Sequence, residues 1–161
     1  MADTSPGPVA DAESLHLIIS DPTDIQDGRL SVTSLVRIDT SGVSVLRQNA
    51  LDEEFDLTIS ELKARSAASN RPRSFLGVCI FTAHTVRFQN GARFLGVYDT
   101  ALQGKDHHAD ILGPSLDPSS ELSKTQREKE KRKRIKNMIE LVGRCFAPAR
   151  SFRQGTFAKY S

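Results

Sequence analysis

Residues 75–81 read Phe-Leu-Gly-Val-Cys-Ile-Phe, a run without a polar side chain. Seven residues are short for a helix, and Val, Ile and Phe favour the extended chain. The run therefore predicts a central strand buried on both faces, with structure packed above and below it. Upstream, residues 15–19 (Leu-His-Leu-Ile-Ile) predict a second strand. It stops at Ser20-Asp21-Pro22, because proline removes a ladder donor and aspartate favours a turn. Downstream, Asn90-Gly91 is the strongest tight-turn dipeptide of the chain, since both residues tolerate positive φ, and residues 92–98 predict a further strand. The stretch 82–88 between them is ambiguous, and residues 108–112 predict a short extended segment.

Further from the run, Leu30, Val32, Ser34, Val36 and Ile38 occupy alternate positions in a β-branched stretch. That alternation predicts a strand, turned at Thr40-Ser41-Gly42 into a hairpin partner over 43–47. Thr58 and Glu61 have the spacing of a capping box, and acids precede them at 52–56, so a helix is expected over about 59–68. A last helix is expected from Ser123 or Thr125 to Val142, with Gly143 as its stop. Ile135, Met138, Ile139 and Val142 fall at i, i+3, i+4 and i+7, which gives its second half one apolar side. Its first half is charged all round. Together these elements predict an α+β domain: a single, mostly antiparallel sheet of about five or six strands packed by two helices, with a long basic C-terminal helix. Expected limits are a disordered N-terminal tail over 1–14, one domain over 15–143, and a loose basic tail over 144–161.

The chain has 161 residues, 38% of them hydrophobic and 26% charged, which suits one core of ordinary size. No apolar run approaches the roughly 18 residues that span a bilayer, so no membrane association is expected. The N-terminus lacks the basic and apolar regions of a secretory signal. The two cysteines, Cys79 and Cys145, stand far apart. That spacing argues against a disulfide framework or structural zinc site and suits a reducing, cytoplasmic setting.

One resemblance rests on short motifs. Ser34 and Arg37, then Gly42-Val43-Ser44-Val45-Leu46-Arg47, then His108-Ala109-Asp110-Ile111-Leu112-Gly113 resemble a pattern in small uncharacterised bacterial proteins. In those, Ser-x-x-Arg and Gly-x-Ser-Val-x-Arg precede a distant His-Ala-x-Ile-x-Gly. The resemblance spans about half of the chain. It marks positions and implies no activity.

Three groups of residues carry candidate chemistry. The formal charge of +2 conceals a segment, 124–136, with eight cations and two acids; it sums to +6 and leaves −4 for the remainder. Lys129, Lys131, Arg132, Lys133, Arg134 and Lys136 are the candidate partner-binding residues, for nucleic acid or for an acidic protein surface. A plain solvated helix face explains the same charges. The segment contains no aromatic residue for stacking single-stranded bases. Arg37 and Arg47, with Ser34 and Ser44 close by in sequence, form a candidate anion clamp, since guanidinium forks match phosphate and carboxylate. Pairing with nearby acids is the simpler reading. His108 and Asp110 project from one side of an extended segment, with His107 on the other. That places a carboxylate where it could orient a histidine general base; a surface histidine-rich turn is the simpler reading. Phosphate-loop, dinucleotide and nucleophile-elbow motifs are all missing from the sequence, and no metal site or cofactor is expected. Cys79 lies within the apolar run and reads as a core thiol. The leading expectation is thus a non-enzymatic interaction module of a bacterial multi-protein system, its basic helix contacting an anionic partner. The alternative is a small enzyme acting on a phosphorylated or nucleotide-like substrate, with Arg37 and Arg47 as clamp and His108 as base.

Overall fold

The computed structural model of the protein describes residues 9–27, 29–31, 33–68, 72–89, 91–114, 116–117 and 123–160. The chain forms an α+β fold. Its strands β1 (Ser14–Asp21), β2 (Val43–Arg47), β3 (Ser74–Thr82), β4 (Gly96–Asp99), β5 (His108–Leu112) and β6 (Phe146–Pro148) make one six-stranded sheet in the order β6-β3-β1-β2-β5-β4. Every pairing in it is antiparallel. Helices α1 (Asp52–Ala67), α2 (Ala83–Arg87) and α3 (Lys124–Gly143) complete the fold. Among the described residues no helix is long and apolar enough to cross a membrane.

Strand β3 contains the apolar run, and it is covered on both faces because side chains alternate along a strand. Cys79 and Phe81 enter one core with Leu15, Leu17, Ile19, Val43 and Val45, closed by Met138 and Val142 of α3. Phe75 and Val78 enter a second core with Leu46, closed by Phe55 and Ile59 of α1. The two long helices thus cover opposite faces of the sheet. The β1–β3 register shifts between Ile19 and Ser20, which lets Phe75 and Val78 share a face although they are three residues apart. Gly77 meets the edge strand β6 here. A Cβ on it would lie 2.2 Å from the Ala147 carbonyl oxygen, so only glycine lets β6 approach this closely.

Several expectations are corrected. The expected strand over 30–38 is not found among the described residues: Leu30 ends a two-stranded ribbon with Ile25–Gln26, and Thr33–Asp39 is a 3₁₀ helix. Leu35 and Ile38 are buried and three residues apart, whereas Val36 is 53% exposed. The three-residue period of the tight helix therefore wins over the two-residue alternation. Val43–Arg47 is a strand as expected, but it pairs with β1 and β5 instead of forming that hairpin. Helix α1 starts at Asp52, seven residues before the expected Ile59. The Glu54 carboxylate accepts from the Leu51 N–H at 2.7 Å, and acids in the first turn suit the helix dipole. Thr58 donates inside the helix, to the Glu54 carbonyl. The ambiguous 82–88 stretch contains α2, capped by the Thr82 hydroxyl, which accepts from the Thr85 N–H at 3.3 Å. Residues 92–98 divide between a small ribbon at Ala92–Arg93 and β4. Asn90 lies outside the described residues, and Gly91 has φ +75°.

The expected limits miss both ends of the core. Residues 144–160 are not a loose tail: β6 pairs with β3, and Phe152 and Phe157 are buried in the second core. Three consecutive turns hold those aromatics without the helical or strand period that would reveal them. At the other end, residues 1–8 lie outside the described ones, but Val9 is buried in the first core. The buried Arg87 donates to the Val9 carbonyl at 2.7 Å and to Asp11 at 2.6 Å. Helix α3 turns Met138 and Val142 inward with Ile135 and Ile139 packed beside them, leaves Leu141 exposed, and has its side chains described continuously from Arg132 to Gly143. Of the expected all-round charged first half, Thr125 and Lys129 are exposed, and most of the other side chains lie outside the described residues.

Candidate functional site

The central strands build one surface from the sequence candidates. Across β1, β2 and β5 the register places His16 opposite Leu46, Leu46 opposite His108, and Ser44 opposite Asp110. Opposed residues share a face, and alternation puts both rows on the face that α1 covers. Helix α1 seats Phe55 and Ile59 on that face and leaves a groove of about 550 Å³ beside them. Thr58, Glu61 and Arg65 line it from the helix, and Ser44, His108 and Asp110 line it from the sheet. Arg37 borders it from the last turn of the 3₁₀ helix, Ser41 from the turn before β2, and Arg73 from the segment before β3.

The structure thus brings Arg37, Ser44, His108 and Asp110 together and leaves Arg47 out. Arg47 is a strut: its guanidinium meets Glu13 at 2.7 Å and Asp99 at 3.3 Å. The hydrogen bond to Glu13 raises its pKa further, against the cost of burial. The Ser34 side chain lies outside the described ones. Ser44 Oγ donates to Asp110 Oδ1 at 3.2 Å, so that carboxylate is engaged across the strands. His108 Nδ1 lies 2.9 Å from Thr100 Oγ1 and 3.1 Å from the Thr100 carbonyl. Thr100, and not Asp110, is the group that holds the imidazole. The residue two positions along a strand is too far to bond it, whereas the neighbouring strand's end is beside it.

His107 is clamped to the first turn of α1. Its N–H and its Nδ1 each lie 2.8 Å from a Glu54 oxygen. Burial alone would raise the Glu54 carboxyl, but the Leu51 and His107 N–H groups and the His107 ring outweigh it and pull its pKa below the ordinary range. His16 is 7% exposed. Burial pushes its pKa down to about 4 despite the Leu46 and Arg47 carbonyls, with Arg153 adding to the decrease. Its Nδ1 has no hydrogen-bond partner among the described residues.

Sequence reasoning missed Arg65, Arg73 and Lys105. Nothing in their local spacing marks them, because α1, β3 and the loop before β5 bring them together only in three dimensions. The buried Lys105 donates to Glu61 at 2.7 Å. Arg37, Arg65 and Arg73 make no ion pair among the described residues, whereas Arg47, Arg87, Arg93 and Arg153 each meet a carboxylate.

The second surface is the outer side of α3. Arg132, Lys133 and Lys136 are exposed there, as is Lys129 nearer the start of the helix. Arg134 differs from its neighbours: its guanidinium stacks 5.0 Å over the Phe94 ring and helps to seat the helix. The Lys131 side chain lies outside the described ones. Cys79 is a core thiol as expected, pushed up to about 12 chiefly by burial, which leaves it unreactive. Among the described residues no three His, Cys, Asp or Glu side chains are grouped to hold a metal ion. Comparison with protein-family models, curated proteins and solved structures found no match.

Proposed function

We propose that this chain is a non-enzymatic interaction module of a bacterial multi-protein system, and that the outer side of α3 contacts an anionic macromolecule. One observation carries this reading. Arg132, Lys133 and Lys136 are exposed and make no ion pair among the described residues, while four arginines of the body are each matched to a carboxylate. Clustered free cations bind phosphate backbones by releasing counterions, with strong salt dependence. On this reading Lys129 and Lys131 extend the contact along a long basic helix. The free thiols of Cys79 and Cys145 support a cytoplasmic setting.

The enzymatic alternative has thinner support. It needs Arg37 and Arg47 on one anion and His108 oriented by Asp110, but Arg47 is held by Glu13 and Asp99, and His108 by Thr100. The test is a variant carrying Arg132→Glu, Lys133→Glu and Lys136→Glu. It keeps the apolar seat of α3 and should lose retention on duplex DNA while melting as the parent does. A parent that binds neither duplex nor single-stranded DNA at low salt removes nucleic acid and leaves an acidic protein as the partner. Retention that survives the three substitutions refutes the role of α3.

A further inference from the structure

The groove between α1 and the sheet has no part in that reading and lies on the opposite face from α3. Its lining carries four cations, Arg37, Arg65, Arg73 and Lys105, against two carboxylates, Glu61 and Asp110. One carboxylate is taken by Lys105 at 2.7 Å and the other accepts from Ser44 at 3.2 Å. Among the described residues three guanidiniums are therefore left without a carboxylate on a single concavity. Like charges gathered there repel one another, whereas Arg47, Arg87, Arg93 and Arg153 are each paired with a carboxylate. His16 also lines the groove: it is 7% exposed, its ring packs on Phe55 and Phe152, and its Nδ1 has no hydrogen-bond partner among the described residues.

From this arrangement we infer that the groove is a binding site for a phosphorylated small molecule, with its phosphate held by Arg37, Arg65 and Arg73. The excess of two positive charges matches a phosphate monoester, which carries roughly −1.5 to −2 at neutral pH. Its three terminal oxygens can each take a guanidinium fork, which a carboxylate cannot offer to three arginines at once. A volume of about 550 Å³ exceeds what a phosphate alone needs and falls in the size range of small-molecule sites. Leu46, Leu62 and Leu102 supply apolar wall for an organic body of mononucleotide or sugar-phosphate size. Ser41, Ser44 and Thr58 supply hydroxyls for its polar edge.

The test uses the full chain at low ionic strength, titrated by calorimetry with inorganic phosphate, adenosine 5′-monophosphate and adenosine. Both phosphates should bind saturably at one site, and uncharged adenosine should not. Arg65→Gln and Arg73→Gln, on exposed or half-exposed side chains, should each weaken phosphate binding roughly tenfold, the scale of a lost charge-assisted hydrogen bond. Unchanged melting temperatures would show that the fold is intact. The Arg132→Glu, Lys133→Glu, Lys136→Glu variant should bind phosphate as the parent does, which separates this site from α3. The inference is overturned if inorganic phosphate shows no saturable binding, if the two glutamine variants bind it unchanged, or if the α3 variant abolishes it.

Discussion

Replacing Phe157 by alanine tests whether the C-terminal segment belongs to the core. The side chain is 0% exposed and closes the second core. Its ring centroid lies 5.4 Å from that of Phe152, 5.5 Å from Phe55, and 6.3 Å from both Phe75 and Tyr160. Truncation removes the burial of a whole aromatic ring, several ring pairs worth about 0.5–1.5 kcal/mol each, and leaves a cavity that the sheet and α1 cannot close. The expected loss is about 3–5 kcal/mol. For a chain of this length each kcal/mol lowers the melting temperature by roughly 2–4 °C, so thermal unfolding should shift down by about 10 °C. Urea unfolding followed by circular dichroism gives the free energy directly. Lys159→Ala is the control: Lys159 pairs with Asp56 at 3.1 Å in an exposed position, and such pairs contribute about 0–1 kcal/mol. A loss below about 1 kcal/mol for Phe157→Ala would refute the packing described for residues 144–160.

Two further perturbations probe other parts of the fold. His16 has a pKa of about 4 in the folded chain against 6.5 unfolded. Between those values the unfolded chain takes up a proton that the folded chain refuses, so stability falls as pH drops from 6.5 to 4, by up to about 3 kcal/mol. Denaturant titrations across this window should show the slope in the parent and lose that share of it in His16→Leu; equal slopes would count against a buried, neutral His16. Gly77→Ala puts a Cβ against the Ala147 carbonyl at 2.2 Å and should displace β6 at a cost of roughly 1–3 kcal/mol. The Ile80 amide, which donates to the Cys145 carbonyl at 3.0 Å, should then exchange with solvent much faster; unchanged protection would mean that β6 approaches by another route.

The sheet was legible where one physical signal dominated. The unbroken apolar run of β3, the short apolar run of β1 and the i, i+3, i+4, i+7 side of α3 each have one structural solution. Legibility failed where two patterns shared the same residues. Ile38 fitted both an alternating strand with Val36 and a three-residue turn with Leu35, and burial against the first core selected the turn. It failed again where burial is irregular, as at Phe152 and Phe157, whose turns have no period to detect. The candidate site was half legible for a similar reason. Ser44, His108 and Asp110 lie on regular strands, where register makes them neighbours, and Arg37 follows from the turn beside them. Arg65, Arg73 and Lys105 reach the groove from three separate elements. Arg47 was assigned to the clamp because its sequence neighbour Ser44 is there, but three positions along a strand reverse the face.

The most direct test of the proposed role of α3 is the salt dependence of binding to a duplex oligonucleotide. Three phosphate contacts from Arg132, Lys133 and Lys136 predict a slope of log K against log salt of about −2.7 or steeper. The Arg132→Glu, Lys133→Glu, Lys136→Glu variant should lose that contribution while unfolding at the parent's midpoint. A slope that is the same in parent and variant would contradict an anionic partner on this helix.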